Sequence, residues 1–289
     1  MTAEALRCPV CGGAGRPWRT LRAHLLLDCG LCTHRWCEPG DVVGHVERNY
    51  GDDYFHGGGA GYVDYLGQRD LQVERGRRYG ALLRRHAPAG GRLLDVGAAA
   101  GFVLRGFVAA GWEGTGLEPN AAMVQHGREA EGVDLRRGTL ETLEADAGFD
   151  AVALLQVVAH LPDVGSAMAR VARALRPGGL CLVETWDRDS LAARLQGARW
   201  HEYSPPTVLH WFSRRTLAAL GARHGLHTVA SGRPLRWLTA RHAVSLLAHV
   251  AGASAAPTAL LRAVPAALRL PYPPVDLFWS ILRRGDAAS

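Results

Sequence analysis

Lysine is absent from this chain: all 33 basic residues are arginine. With alanine and glycine abundant, that usage marks a compositional bias of the source rather than selection for a polyanionic partner. The formal charge of +6 is spread along the sequence. Its densest clusters, Arg75–Arg78 and Arg84–Arg85, fall on an expected amphipathic helix, where a solvated face accounts for them. Nucleic acid is therefore not the expected partner. Asparagine occurs only at positions 49 and 120, so a target-base motif such as Asn-Pro-Pro-Tyr is excluded. No apolar run reaches the roughly 18–20 residues that a membrane span needs. The opening stretch, MTAEALRCPVCG, lacks the basic-then-apolar order of a secretory signal, so a cytoplasmic protein with no membrane association is expected. Internal repeats and low-complexity tracts are missing too.

What is present is an ordinary globular composition, 48% apolar and 21% charged, in 289 residues. Three regions stand out. Residues 1–45 are rich in Cys, Gly and short polar turns. Residues 46–70 are Tyr- and Gly-rich and read as a connector, or as a lid hinged at Gly57–Gly59. Residues 71–289 alternate helical and strand patterns, with a cofactor half at 71–190 and substrate-side segments and last strands at 191–289. Strands such as RLLDV, DAVALL and LCLVE are apolar on both faces, which means a parallel sheet covered on both sides. The expected fold is α/β, a Rossmann-like, seven-stranded, doubly wound sheet behind a small N-terminal metal module. His227–Leu238 is expected as one strand, Ala240–Leu270 as an apolar helical insertion, and Val275–Arg283 as a last strand, antiparallel at the end of the sheet.

Five of the six cysteines lie within residues 8–37. Cys8-Pro-Val-Cys11 and Cys29-Gly-Leu-Cys32 are two CxxC knuckles with 17 residues between the inner cysteines. Two such knuckles supply the four soft ligands of tetrahedral zinc, and a closed four-thiolate site leaves no open position for catalysis. Structural zinc on Cys8, Cys11, Cys29 and Cys32 is expected. Cys37 and His34 are alternatives for one ligand, with Cys37 taken as a bystander, and Cys181 sits mid-strand by its apolar pattern. A module this small needs the metal to fold.

The segment LLDVGAAAG, Leu93–Gly101, is a strand that ends in an acidic residue and turns through glycine into a helix, which forms a ligand site at the carboxyl end of a parallel sheet. Gly97 and Gly101 let the backbone approach the ligand, and Asp95 organises the turn. Seventeen residues after Gly101 comes Glu118, placed to accept both hydroxyls of a ribose. The full GxGxxG fingerprint that a pyrophosphate requires is missing, which leaves NAD as a minor alternative.

In order and spacing, LLDVGAAAGFVL, GLEPN, GFDAVALLQVVAHLPD and RALRPGGLCLVET resemble the class I S-adenosylmethionine-dependent methyltransferases, densely over about residues 70–190. More loosely, the double knuckle, Tyr50…Tyr54-Phe55 and RWHEYSPPTVLHWFSRRTL resemble a bacterial subgroup in which a zinc ribbon precedes that domain and whose members modify sugars, glycans or small natural products. The resemblance implies S-adenosylmethionine as cofactor. It puts Asp95, Gly97, Ala99 and Gly101 around the methionine part, Glu118 with Pro119 at the ribose, Thr139 and Leu140 near the adenine, and Gln156 and Val157 near the sulfonium. Ala98, Gln156 and Ala159 depart from the family's frequent Cys, acidic residue and Glu.

Methyl transfer is an in-line displacement, and a hydroxyl or carbon nucleophile must also lose a proton. His160, four residues past the end of the fourth strand, is the first candidate base, with a loop-orienting role through Asp163 as its alternative. A second cluster, His201, Glu202, Tyr203 and His210, follows the fifth strand and is expected to bind or deprotonate a polyhydroxylated small-molecule substrate, with core packing as the alternative. The expected activity is methylation of a hydroxyl or activated carbon on a sugar derivative or natural-product intermediate, by a monomer or homodimer. A non-catalytic binding or scaffold protein, a nucleic-acid methyltransferase that grips through the ribbon, and a different use of the same cofactor stay as rivals.

Overall fold

A computed structural model describes residues 7–38, 65–143, 148–240, 244, 268–272 and 276–285. The connector's residues 46–64, with its Gly57–Gly59 hinge, and most of the expected helical insertion at 240–270 lie outside them. The cysteine module is an antiparallel meander of β1 (Gly15–Leu21), β2 (His24–Cys29) and β3 (Arg35–Cys37). Next come α1 (Arg69–Arg84), β4 (Gly91–Val96), α2 (Phe102–Ala109), β5 (Trp112–Glu118), α3 (Ala121–Ala130) and β6 (Asp134–Arg137). The chain continues through β7 (Phe149–Leu155), α4 (Val164–Ala174), β8 (Leu175–Trp186), α5 (Leu191–Gln196), β9 (His210–Trp211) and α6 (Arg214–Ala222). Last are β10 (Leu226–Gly232), β11 (Arg236–Thr239), β12 (Arg269–Tyr272) and β13 (Leu277–Arg284).

Seven strands form one mixed sheet in the order β10-β13-β8-β7-β4-β5-β6, the Rossmann-like arrangement expected. Strands β4 to β8 run parallel, and the central β7 buries six of its seven residues, as helix-covered parallel strands must. Helix starts follow the capping rule: the side chains of Asn120, Asp163, Ser190 and Ser213 accept from backbone N–H groups three residues on. Helices α1 and α2 cross at glycines. A Cβ on Gly76 would lie 2.1 Å from the Val103 carbonyl oxygen, and one on Gly106 would lie 2.2 Å from that of Val73. This close crossing seats α1 over the cleft described below.

Two expectations about the C-terminal strands need correction. The span His227–Leu238 is not one strand. It breaks after Gly232 at Arg233-Pro234, and residues 233–275 make a second compact unit in which β11 pairs antiparallel with β12. The last strand is antiparallel as expected, but it lies inside the sheet, between β8 and β10, rather than at its end. The side chains explain this. Leu277, Phe278, Ile281 and Leu282 make β13 apolar on both faces, whereas His227, Thr228 and Val229 are exposed on β10, which suits an edge.

The cysteine module gains a fourth strand from far along the chain: β9 pairs with β3, Trp36 opposite His210. Among the described residues no helix is long and apolar enough to cross a membrane.

Candidate functional site

At the carboxyl ends of β4, β5 and β7 the sheet opens into a cleft. Gly97, Ala99, Glu118, Pro119, Thr139, Leu140, Gln156, Val157 and His160 all line it, together with Tyr65, Gln72 and Arg75. Asp95 lies buried on β4 two residues before Gly97, and Gly101 heads α2. The turn after β4 is tight. Gly97 has φ +68°, and a Cβ there would sit 2.7 Å from Val157 Cγ2. Ala99 takes φ +48°, a left-handed conformation that strains any residue with a Cβ. That strain aims its N–H at Glu118 Oε2, 2.9 Å away, while the Asn120 N–H reaches Oε1, also at 2.9 Å. Two backbone donors thus orient the Glu118 carboxylate, one per oxygen, and each oxygen keeps a second lone pair. Burial pushes the Glu118 carboxyl above its ordinary range, and the two N–H groups pull it back down.

A second buried carboxylate, Glu184 near the end of β8, was not anticipated. Its Oε1 accepts from Arg75 Nη2 at 2.5 Å and from Gln156 Nε2 at 2.9 Å, and its Oε2 accepts from the Tyr79 hydroxyl. Gln156, at φ +65°, also donates its backbone N–H to the Glu184 carbonyl at 2.9 Å. Arg75 is therefore not part of a solvated face: it turns inward, while Arg77 and Arg78 on the same helix stay exposed. The spacing of Arg75 and Tyr79, one helical turn apart, was the signal available in the sequence. Burial pushes the Asp95 carboxyl up to about 7, with Arg75 lowering it and Glu118 raising it. Among the described residues, Asp95 and Glu118 are thus buried beside the cleft while Arg75 is engaged by Glu184.

His160 sits at the cleft wall with Nδ1 2.9 Å from the Thr207 carbonyl oxygen. A carbonyl only accepts, so Nδ1 carries the proton and Nε2 holds the lone pair in the neutral ring. Burial lowers its pKa and so favours the neutral ring, while the Thr207 carbonyl pulls the other way. The other expected catalytic residues are not among the cleft's lining. His201 and Glu202 pair with each other at 2.6 Å, with the His201 side chain 62% exposed. Tyr203 is buried with its hydroxyl accepting from Arg35 at 2.6 Å. His210 is buried in β9, bonded to His34 and to the Leu161 carbonyl. These contacts match the core-packing alternative for Tyr203 and His210.

The four knuckle cysteines converge, their sulfurs all within 4.8 Å of one another. Cys8 and Cys32 lie 3.5 Å apart, and Cys11 and Cys29 lie 3.4 Å apart. A tetrahedral site with metal–sulfur bonds of about 2.3 Å has sulfur–sulfur edges of about 3.8 Å, so the donor set fits. The Leu31 and Cys32 N–H groups donate to Cys29 Sγ. At Cys29, burial is outweighed by these two donors and the thiol sits at about 7, whereas burial pushes the Cys8 thiol far up. A Cβ on Gly13 would lie 3.2 Å from both Cys11 and Cys29 sulfurs, so the backbone there cradles the cluster. Cys37 and Cys181 are buried elsewhere, and His34 faces His210 rather than the sulfurs.

A family profile described as methyltransferase domain matches residues 68–231. Among similar proteins, the ubiquinone biosynthesis O-methyltransferase of Bradyrhizobium sp. (strain ORS 278) is 33% identical over 135 residues, covering 44% of this chain and 51% of that protein. Its counterpart from Azorhizobium caulinodans is 35% identical over 158 residues, covering 51% and 58%. The chain thus spans about half the length of the curated relatives it matches. Among solved structures, the Burkholderia thailandensis 1,6-didemethyltoxoflavin-N1-methyltransferase, with bound 1,6-didemethyltoxoflavin and S-adenosylhomocysteine, superposes with a TM-score of 0.54 at 16% identity, over 94% of this chain and 100% of that one. An S-adenosylmethionine dependent methyltransferase from Mesorhizobium loti gives a TM-score of 0.50 at 18% identity, over 73% and 100%. Both likenesses are of fold.

Proposed function

This chain belongs to the methyltransferase-domain family, and from that footing we propose that it transfers the methyl group of S-adenosylmethionine to a hydroxyl or activated carbon of a small molecule. The observation that carries this reading is Glu118: a buried carboxylate, oriented by two backbone N–H groups, in the same cleft as His160. The cofactor, when bound, supplies a methyl already activated by its sulfonium. Glu118 accepts the ribose hydroxyls, the Gly97–Gly101 turn and Asp95 hold the methionine part, and Thr139 and Leu140 flank the base. Gln156, fixed by Glu184, and Val157 would flank the methyl end. His160 Nε2 would take the proton of the acceptor's hydroxyl or carbon acid when a bound cofactor supplies its methyl to that atom. The relatives' O-methyltransferase names favour oxygen as the acceptor atom. A sugar derivative or natural-product intermediate is the class to screen first, with intermediates of ubiquinone biosynthesis as the comparison set.

Structural zinc on Cys8, Cys11, Cys29 and Cys32 belongs to the same reading, supported by the convergence of the four sulfurs. Chelation is expected to strip protection from amide exchange across residues 8–37, and retained protection in metal-free protein would remove zinc from the picture.

Titration calorimetry with S-adenosylmethionine and S-adenosylhomocysteine tests the cofactor site. Micromolar binding that Glu118→Ala weakens tenfold or more is the expected result. Absence of binding by folded wild-type protein would sink the reading.

A further inference from the structure

The cysteine module is tied to the rest of its unit by more than packing. Arg215 donates to the Cys32 carbonyl and the Thr33 hydroxyl, Arg223 donates to the Val10 carbonyl, and Arg188 donates to the Thr33 carbonyl. The module's third strand then holds the segment around β9, where the Cys37 N–H donates to the Leu209 carbonyl at 2.8 Å. From that segment three bonds reach the loop between β7 and α4. The Leu209 N–H donates to the Ala159 carbonyl at 2.8 Å. His210 Nε2 meets the Leu161 carbonyl at 3.0 Å, and the Thr207 carbonyl accepts from His160 Nδ1 at 2.9 Å. The loop that lines the cleft with Val157, His160 and Leu161 is thus backed by a strand of the cysteine module's own sheet.

Behind His210 stands His34, wholly buried and packed against the rings of His210 and Phe212. Because the Leu161 carbonyl only accepts, His210 Nε2 carries a proton, and in the neutral ring Nδ1 accepts from His34 Nε2 at 3.3 Å. His34 Nδ1 is then a bare lone pair, and it has no hydrogen-bond partner among the described residues. A buried acceptor left without a donor costs stability, and a phenylalanine would fill the same ring stack without that cost. As packing, His34 is a poor choice. As a donor that fixes the tautomer of His210, and through it the Leu161 carbonyl, it is well placed.

We propose that the cysteine module sets the Val157–Pro162 loop through His34 and His210, which act as positioning residues for His160 in the cleft. The chemical consequence rests on the reading of His160 as the base, and the mechanical coupling stands apart from it.

The test compares the full, metal-loaded chain with its His34→Phe variant. Loop opening is read by amide exchange over residues 157–161. The His160 ring state is read by nitrogen-15 resonances, assigned by their loss in His160→Gln, and ligand binding is read by titration with S-adenosylhomocysteine. In His34→Phe, metal content and melting temperature are expected to hold or rise. Loop exchange quickens threefold or more, the His160 ring passes from its Nδ1–H form to a mixture of tautomers, and affinity falls threefold or more. Unchanged exchange and ring signals in a folded, metal-loaded variant would overturn the proposal. His210→Gln, which keeps a donor toward Leu161, is expected to retain loop protection that His210→Phe loses. Equal behaviour of that pair would overturn it as well, and the pair decides the matter should His34→Phe fail to fold. Failure of the wild type to bind S-adenosylhomocysteine would sink the proposed function, while loop exchange would still decide this inference.

Discussion

Glu118 and Glu184 occupy comparable places, each near the carboxyl end of a parallel strand and each buried, at 4% and 0% exposure. They differ in what satisfies them. Glu118 is held by two main-chain N–H groups, one on each oxygen. Among the described residues, Glu184 is held by the side chains of Arg75, Tyr79 and Gln156, drawn from α1 and the end of β7. A carboxylate has about four acceptor sites. Main-chain donors on two of them fix orientation and, on the proposed function, leave the rest for ligand hydroxyls. Charged and hydroxyl side chains on the same sites turn the carboxylate into scaffold, joining α1 to the sheet and fixing Gln156 at the cleft. Burial alone does not separate the two carboxylates, whereas the kind of donor does, and on the proposed function it separates a binding group from a structural one.

The largest expected effect breaks the structural member of the pair. Glu184→Ala takes the shared acceptor from Arg75, Tyr79 and Gln156 at once, and because the Arg75 side chain keeps 16% exposure at the cleft the loss is expected at about 1–3 kcal/mol in urea unfolding. Glu118→Ala opens onto a cleft that water can enter, so its stability cost is expected below about 1 kcal/mol while cofactor affinity falls tenfold or more. Equal destabilisation by the two substitutions would erase the distinction.

The difference also explains what the sequence made legible. Local placement was readable: the turn LLDVGAAAG, Glu118 at the end of the next strand, and the two converging CxxC knuckles each announce their position within a few residues. The Glu184 network was not, because its partners stand 105 and 109 positions away and Arg75 looks like any other arginine on an amphipathic helix. His210 misled for the same reason. It lies in an aromatic segment after the fifth parallel strand, and nothing local reveals a pairing with β3, whose His34 is 176 positions earlier. The order of β10 and β13 was readable in principle from their burial patterns, apolar on both faces against half exposed. Periodicity gives the strand but not its neighbours.

A smaller effect sharpens the comparison at Asp95, the third carboxylate. Its folded value of about 7 lies above the ordinary carboxyl range. Its contribution to stability is therefore fully present below about pH 4 and is lost as pH rises through 7. A cation in the cleft favours the ionised form, so affinity must grow over the same interval. S-adenosylmethionine is expected to bind at least threefold more tightly at pH 7.5 than at pH 5.5, with a larger thermal shift at the higher pH. Asp95→Asn should flatten the profile. A flat wild-type profile would mean that Asp95 does not sense the ligand's charge.

The smallest effect tests whether main-chain donors work by being held rigidly. Ala99 keeps φ +48°, which costs a residue with a Cβ about 1–2 kcal/mol, and its N–H is the donor to Glu118 Oε2. Glycine relieves that strain but gives up about 0.4–1 kcal/mol through the freer unfolded chain. Ala99→Gly is therefore expected to raise stability by roughly 0.5 kcal/mol in urea unfolding. The same freedom loosens the turn that points the amide, so S-adenosylhomocysteine affinity should fall, by no more than about threefold since the N–H itself remains. A tenfold fall, matching Glu118→Ala, would instead place the Ala99 methyl against the ligand. An unchanged affinity would show that Glu118 is oriented by the Asn120 N–H alone, leaving the strained turn to another purpose.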